Sequence, residues 1–468
     1  MGRLNSGDVI DGFVLDEKLA AGGMGSLWHA TKPGIDYPVV LKVPFFDPGQ
    51  DVSTIVGYEV EEMILKRLSG PHVPRFAGAG DLAETPYIAM EFVKGESLEG
   101  IVARAPLPAH EVTRIGTLIA NALASIHRQN VSHLDLKPEN VILAERGAVL
   151  IDFGLARHFE LPDLLGEESS VPMGTPAYIS PEQVLGNRNN PSSDIFSLGC
   201  ILYELATGTK PYGEPTTTAG MKRRIYHTPQ SPRELQRSVP RSLSAVIMRC
   251  LEVDPLRRYA MAGNVAFDLA NPEQVAVHAV ARGRQGFFGR VRGLFSPKQT
   301  VDLARASTQS VGEGRAVVLV AVDLADGADT LAEQVRAEAQ RVLAASPGAR
   351  LACVTILKTE ILGAEADVDA LGRSAYVNRL VALKDWAQPL ALPDDVVSYH
   401  VVEAFSPAAA ILQYAKHNDV GHIVLGARAS SALRRHLGSV SAEVVAEALC
   451  SVSVVRVKRI EERARDAA

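Results

Sequence analysis

The run His133-Leu134-Asp135-Leu136-Lys137-Pro138-Glu139-Asn140, followed by Asp152-Phe153-Gly154, constrains this chain more than any other feature. Between them lie an apolar run, Val141-Ile142-Leu143, a polar turn, Glu145-Arg146-Gly147, and a second apolar run, Ala148-Val149-Leu150-Ile151. That pattern predicts a β-hairpin. A hairpin sets its two ends side by side, so Asp135, Lys137, Asn140 and Asp152 are expected in one cluster. Two carboxylates and an amide suit a base for a hydroxyl together with an oxygen-donor site for a hard cation such as Mg²⁺. A Lys beside the base would steady a transferring phosphoryl group.

DLKPEN followed by DFG at this spacing resembles the catalytic and metal loops of the protein-kinase family, with Lys137 in the form typical of serine/threonine kinases. DFG alone would carry little weight. The resemblance implies a bilobal α+β fold with ATP and Mg²⁺ as cofactors. By it, Asp135 orients and deprotonates the substrate hydroxyl, Lys137 stabilises the phosphoryl group, Asn140 and Asp152 hold Mg²⁺, and His133 is structural.

Composition fits that expectation. The chain has 468 residues, of which 47% are hydrophobic and 22% charged, as in ordinary globular protein. A formal net charge of −6 argues against nucleic acid as the main partner. Cys200, Cys250, Cys353 and Cys450 are far apart and make no metal-ligand pair, which fits thiols in a reducing compartment. No signal peptide and no apolar stretch long enough to span a bilayer is visible, so a cytoplasmic protein is expected.

Along the chain, the other blocks match the same family in order. Val9 to Leu15 reads as a strand, and Leu19-Ala20-Ala21-Gly22-Gly23-Met24-Gly25 follows it. Glycines at a hairpin tip let backbone N–H groups approach phosphate. The block resembles the kinase Gly-rich loop, with Ala20 where the first glycine is usual. Val39-Val40-Leu41-Lys42 matches the strand ending in the phosphate-pairing Lys. A helix reads from Tyr58 to Leu68, with Val60, Ile64, Leu65 and Leu68 on one side. By resemblance, the helix Glu of the family precedes apolar positions four and seven residues on, so counting back from Leu65 and Leu68 implies Glu61 as partner of Lys42, with Glu62 the alternative.

By resemblance, Tyr87 to Gly95 is the hinge between lobes, with Met90 behind the adenine pocket and the backbone of Glu91 and Val93 bonding the base. Leu27, Val40 and Ile142 are counted among the ATP-binding positions on the same ground. The helix Glu111 to Gln129 carries a buried stripe that delivers the chain to His133. After the metal loop the chain runs through polar Glu167-Glu168-Ser169-Ser170 to Gly174-Thr175-Pro176 and on to Pro181-Glu182, which resembles the activation segment and its closing motif. There Thr175 would face the substrate hydroxyl and bond with Asp135 and Lys137. Asp194 to Gly199 resembles the DxWxxG helix start, and Asp254-Pro255-Leu256-Arg257-Arg258 supplies the Arg that pairs with Glu182. Leu134 stands where many kinases carry an Arg that binds a phosphorylated activation-loop residue.

Residues 1–270 are therefore read as a serine/threonine kinase domain and 271–312 as a linker. Arg282 to Phe295 sets cations among aromatics. It suits packing on a neighbouring domain better than an anionic membrane surface, because its glycines weaken an amphipathic helix. In residues 313–468 strands alternate with helices, which predicts a parallel sheet covered by helices, with a ligand crevice at the strands' carboxyl ends.

This second region resembles the universal stress protein domain. The resemblance places Asp323, Val354, Gly426, Gly438 and Ser439 at a nucleotide, although Ala429 replaces a glycine of the family's phosphate loop and the loop is one residue short. It also implies a homodimer through the last strand, read as Ser453 to Val457. The resulting expectation is an ATP-dependent kinase acting on protein Ser and Thr, itself included, with a regulatory or dimerising second domain. The alternative is a catalytically weak nucleotide-sensing scaffold.

Overall fold

The computed structural model describes residues 4–22, 25–45, 52–169, 171–275, 315–324, 330–358, 374–427 and 438–456. Gly23, Ser170, Ala429 and the basic linker segment lie outside them.

The N-terminal lobe is built on an antiparallel sheet with order β1-β2-β3-β4-β6-β5. Its strands are β1 (Val9–Ile10), β2 (Phe13–Gly22), β3 (Gly25–Thr31), β4 (Val39–Pro44), β5 (Phe76–Ala79) and β6 (Ile88–Glu91), with α1 (Val52–Leu65) crossing between β4 and β5. The single strand expected over Val9 to Leu15 is broken at Asp11-Gly12, where φ is 48° and 81°. Both residues are left-handed, a tight turn that folds β1 back on β2. Phe13, Leu15, Trp28, Leu41, Val43 and Tyr87 fill one face of this sheet. Helix α1 starts earlier than the Tyr58 to Leu68 periodicity suggests and ends at Leu65, though Leu68 is still buried.

The second lobe is built around a 19-residue helix, Ala109–His127. Helix α2 (Leu98–Val102) follows the short strand β7 (Glu96–Ser97), and α3 (Ala109–His127) follows α2. Val112, Ile115, Ile119, Leu123 and Ile126 of α3 are buried along one stripe, as its periodicity dictates. Gly116 lets a neighbour close in, since a Cβ there would sit 2.6 Å from a Leu202 methyl. After β8 (Val131–Ser132), the predicted hairpin forms from β9 (Val141–Ala144) and β10 (Gly147–Leu150), paired antiparallel with Leu150 opposite Val141.

The strand β11 (Arg157–His158) pairs with β8, and α4 (Leu164–Glu168) takes in the first two residues of the polar run Glu167 to Ser170. Then come α5 (Pro181–Val184), α6 (Ser192–Thr207), α7 (Thr218–Tyr226), α8 (Pro232–Leu235), α9 (Arg241–Cys250) and α10 (Ala262–Ala270).

Beyond the linker, β12 (Val317–Ala321), α11 (Thr330–Ala344), β13 (Arg350–Lys358), α12 (Ala375–Ala387), β14 (Val397–Ala404), α13 (Pro407–His417), β15 (Val420–Gly426), α14 (Ser439–Glu447) and β16 (Ser451–Val455) alternate. The five strands are parallel in the order β14-β13-β12-β15-β16, which leaves β16 at one edge. This is the expected sheet, with the last strand two residues earlier than the sequence pattern suggests. Leu319, Val320, Leu351, Val354, Ile423 and Val424 are wholly buried, because helices cover both faces.

Candidate active site

The hairpin does what its sequence requires: it carries Asn140 and Asp152 into the cleft between the lobes. A 3₁₀ turn over Pro138–Asn140 enters β9, and Asn140 donates through Nδ2 to the backbone oxygen of Asp135 at 3.0 Å. That bond points the amide oxygen of Asn140 away from the loop. Asp135 accepts the backbone N–H and the hydroxyl of Thr175 on one oxygen, each at 2.7 Å. Lys137 Nζ lies 3.2 Å from its other oxygen. Burial opposes the charge on Lys137, but Asp135 beside it raises the pKa above the usual lysine value. Thr175 therefore meets Asp135 directly, while Lys137 approaches the same carboxylate from its other side.

Two residues here hold left-handed backbone without being glycine: Leu134 at φ 59° and Asp152 at φ 62°. Such strain persists only where surroundings over-determine it. For Leu134 the surroundings are Asp194 and Gln183. Asp194, wholly buried at the start of α6, accepts the N–H of His133 at 2.9 Å and of Leu134 at 2.8 Å. It also accepts from His127 Nε2 at 2.8 Å. Burial penalises its charge, yet the His127 bond and the His133 N–H bring its pKa below the usual carboxylate range. Gln183 Nε2 donates to the Leu134 carbonyl at 2.7 Å. The catalytic loop is thus gripped at three backbone atoms on either side of Leu134.

Across the cleft, Lys42 Nζ sits 2.6 Å from Glu61 Oε2 and 3.2 Å from Asp152 Oδ1. Of the two candidates on α1, the structure brings Glu61 to the lysine; Glu62 pairs with Lys66 instead. Burial disfavours the ammonium of Lys42, but Glu61 and Asp152 together raise its pKa. The same lysine lowers that of Asp152 against burial. Helix α1 approaches the metal loop closely, since a Cβ on Gly57 would lie 3.3 Å from the Gly154 carbonyl.

At the cleft's roof, Gly22 pairs with Gly25 across the hairpin tip. Gly25 has φ +155°, and a Cβ there would lie 2.5 Å from the Val43 carbonyl, so only glycine fits. Leu27 and Val40 lie on β3 and β4, on the sheet that roofs the cleft, and Ile142 is on β9 in the hairpin. Met90 and Val93 are buried. The side chain of Glu91 is taken by Arg146 at 2.6 and 3.0 Å.

The activation segment is anchored at both ends. Asp163 bonds Arg157 at 3.0 Å and Arg188 at 3.2 Å, and their charges hold its pKa down against burial. Glu182 meets Arg258, not its neighbour Arg257, through paired bonds of 2.6 and 2.7 Å. Sequence reasoning had the anchor but missed the Asp163 cluster.

In the C-terminal sheet, Asp323, Gly426, Gly438 and Ser439 all fall at the carboxyl-end side, Gly438 as the cap of α14. Val354 is buried in the core of this sheet, and its carbonyl accepts from the Val322 N–H at 2.8 Å. Gly426 also has a packing reason to be glycine: a Cβ would press on Leu331 at 3.0 Å.

A two-lobed fold with a Lys–Glu pair, a DLKPEN loop and a DFG loop around one cleft is that of the protein kinases, here joined to a parallel α/β domain. The protein kinase domain model matches residues 13–267, and the universal stress protein family model matches 315–456. The chain belongs to the protein kinase family.

Relatives include the probable serine/threonine-protein kinase CPE1738 of Clostridium perfringens, 31% identical over 260 residues, 55% of this chain and 38% of the relative. Serine/threonine-protein kinase pkn2 of Myxococcus xanthus is 32% identical over 274 residues, 56% of this chain and 32% of that protein. PknL of Mycobacterium tuberculosis is 30% identical over 269 residues, 57% of this chain and 67% of that one. The alignments span roughly a third of the first two relatives' own lengths. Among solved structures, the Mycobacterium tuberculosis PknI kinase domain superposes with a TM-score of 0.45 at 24% identity, covering 58% of this chain and 99% of that one.

Proposed function

We propose that this chain is an ATP-dependent serine/threonine kinase that phosphorylates proteins, itself included. The observation that carries the reading is the cluster of Asp135, Lys137 and Thr175 facing the closed Lys42–Glu61 pair and Asp152. Asp135, already accepting a hydroxyl from Thr175, is oriented to accept one from a substrate Ser or Thr. Lys137 beside it offers charge to a phosphoryl group in flight, and Lys42, fixed by Glu61, offers it to the phosphates of ATP. Gly22, Gly23 and Gly25 would admit the phosphates, and Leu27, Val40, Met90, Glu91, Val93 and Ile142 would line the adenine.

Among the described residues no group of three or more His, Cys, Asp or Glu side chains converges to make a metal cage. One carboxylate, Asp152, and one amide, Asn140, are what Mg²⁺ asks of a protein when phosphates and water complete its octahedron. Mg²⁺ held there would neutralise phosphate charge. The closed Lys42–Glu61 pair speaks for catalysis over a passive scaffold.

We further read the C-terminal domain as a dimerising module. Strand β16 lies at the sheet edge, where an unpaired ladder invites a second copy. Asp323, Gly438 and Ser439 would meet an adenine nucleotide in that domain. No described helix is long and apolar enough to cross a membrane; with its cysteines free, the protein fits the cytoplasm.

The test is Mg²⁺-dependent transfer of labelled phosphate from ATP to a Ser/Thr peptide, with Asp135→Asn as control. Transfer that survives Asp135→Asn undiminished would sink the assignment. Analytical ultracentrifugation of the full chain tests the dimer, and a monomer at tens of micromolar would remove it.

A further inference from the structure

Two elements that set the catalytic geometry rest on the C-terminal domain. The first is α4, in the activation segment. It turns Glu167 into the other domain, where the side chain is only 5% exposed. Arg350 of β13 lies 2.8 Å from one carboxylate oxygen. The other oxygen receives His400 at 2.8 Å, Ser398 at 2.9 Å and Tyr414 at 3.0 Å. Ser398 and His400 are two apart on β14 and so share one face of the sheet. Glu168 adds bonds to Tyr376 at 3.3 Å and His400 at 3.4 Å. The backbone is held too: the Gly166 and Glu167 carbonyls accept from His417 at 2.8 Å and Asn418 at 3.1 Å.

The second element is α1, which carries Glu61 and packs against α4. Tyr376, Leu380 and Lys384 lie at spacings of four along α12, which places them on one helix face. Tyr376, Val377 and Leu380 join the same buried core as Val60, Ile64 and Leu65 of α1. Lys384 pairs with Glu59. At the end of α1's run, Arg67 meets Asp394 at 2.8 Å.

We propose that the C-terminal domain is an in-cis positioning element for phosphoryl transfer: by gripping Glu167 and Glu59 it holds the activation segment and α1 where Glu61 meets Lys42. This rests on the kinase reading above. The charge pattern says why the contact is more than packing. A buried carboxylate persists only when paired, and Glu167 has its cations from the other domain. Inside the kinase domain the position beside the catalytic base is Leu134, an apolar side chain that can order no charged segment. Asp163 and Glu182 of the segment find their cations inside the kinase domain, whereas those of Glu167 are Arg350 and His400. Helix α1 is then clasped on two sides, by Gly154 of the metal loop and by α12.

The experiment uses the full chain. The double variant Arg350→Met, His400→Gln should lower kcat at least tenfold. It should also speed amide exchange at least tenfold over residues 164–169 and 52–65, with exchange in β12 and β13 unchanged. Glu59→Lys and Lys384→Glu should each lower kcat, and the two together should recover to within threefold of the parent. If either charge reversal does not fold, Lys384→Met keeps the apolar stem and should still lower kcat.

A kcat within twofold of the parent despite faster exchange in 164–169, or a rise in kcat, overturns the proposal. So do unchanged exchange and a double swap no better than its weaker single. A parent protein with no transfer activity would sink the kinase reading alone, because exchange in 52–65 still reports whether the C-terminal domain holds α1.

Discussion

Replacing Asp194 with Asn removes one oxygen and almost nothing else. Its carboxylate accepts three donors, the N–H groups of His133 and Leu134 and the His127 ring nitrogen, at 2.8 to 2.9 Å. The amide keeps one acceptor. If that oxygen stays with His133 and His127, the new NH₂ faces the Leu134 N–H donor to donor. A buried N–H left unmet costs about 1–3 kcal/mol, and Leu134, freed to leave its left-handed backbone, returns up to about 1–2 kcal/mol of strain. The difference, about 1 kcal/mol, corresponds to a fall in Tm of roughly 2–4 °C for a domain of this size. Relaxation at Leu134 moves its neighbour Asp135, and misplacing a reacting group by about 1 Å costs on the order of 100-fold in rate. Thermal unfolding and steady-state phosphorylation of a Ser/Thr peptide read the two effects. A variant melting within about 1 °C of the parent, with kcat within about twofold, would refute this account of the loop.

Asp152→Ala should abolish transfer while leaving thermal stability nearly intact, because its side chain is 44% exposed and bonds only Lys42 among the contacts described; normal turnover would void the metal assignment. Arg258→Leu should destabilise by about 3–5 kcal/mol, since it strands the buried Glu182; chemical denaturation measures it. Ser169→Ala with Ser170→Ala should leave kcat within about threefold, roughly 0.7 kcal/mol of barrier, because Leu134 cannot receive a phosphate; near-total loss would count against that.

The domain contact should weaken above neutral pH. Burial opposes a charge on His400, but bonds to Glu167 and Glu168 raise its pKa from 6.5 to about 9. A raised pKa contributes fully below about 6.5 and is lost as pH rises through about 9. Glu167 is buried too, yet His400, Arg350 and Ser398 pull it from 4.5 to about 2, so its share is lost only as pH falls through that range. Tyr376 and Tyr414, the other titratable groups facing this pair, have pKa values raised by burial and stay neutral throughout. Exchange at residues 164–169 should therefore accelerate between about pH 7 and 9, beyond intrinsic exchange, and His400→Gln should flatten that slope.

What the sequence by itself determined is what local pattern can encode. Alternating apolar runs around Glu145-Arg146-Gly147 specify the hairpin, and the hairpin alone brings Asn140 and Asp152 to Asp135. On α1 the family pattern counted back from Leu65 and Leu68 points to Glu61 but leaves Glu62 open, and the structure chooses Glu61. Strand and helix alternation after Arg315 specifies the parallel sheet. Tertiary structure decided what depends on partners far along the chain. Glu167 reads as one residue of a solvated polar run, yet it is buried because Arg350, Ser398, His400 and Tyr414 surround it. No periodicity within α4 announces a partner more than two hundred residues away. Asp194 stands out in the sequence only as the start of a DxWxxG-like motif, and the packing of α6 beneath the catalytic loop is what makes it the acceptor that keeps Leu134 strained. The choice of Arg258 over Arg257 follows the same rule: adjacent side chains leave a short turn in different directions, and the core lies on one side of it.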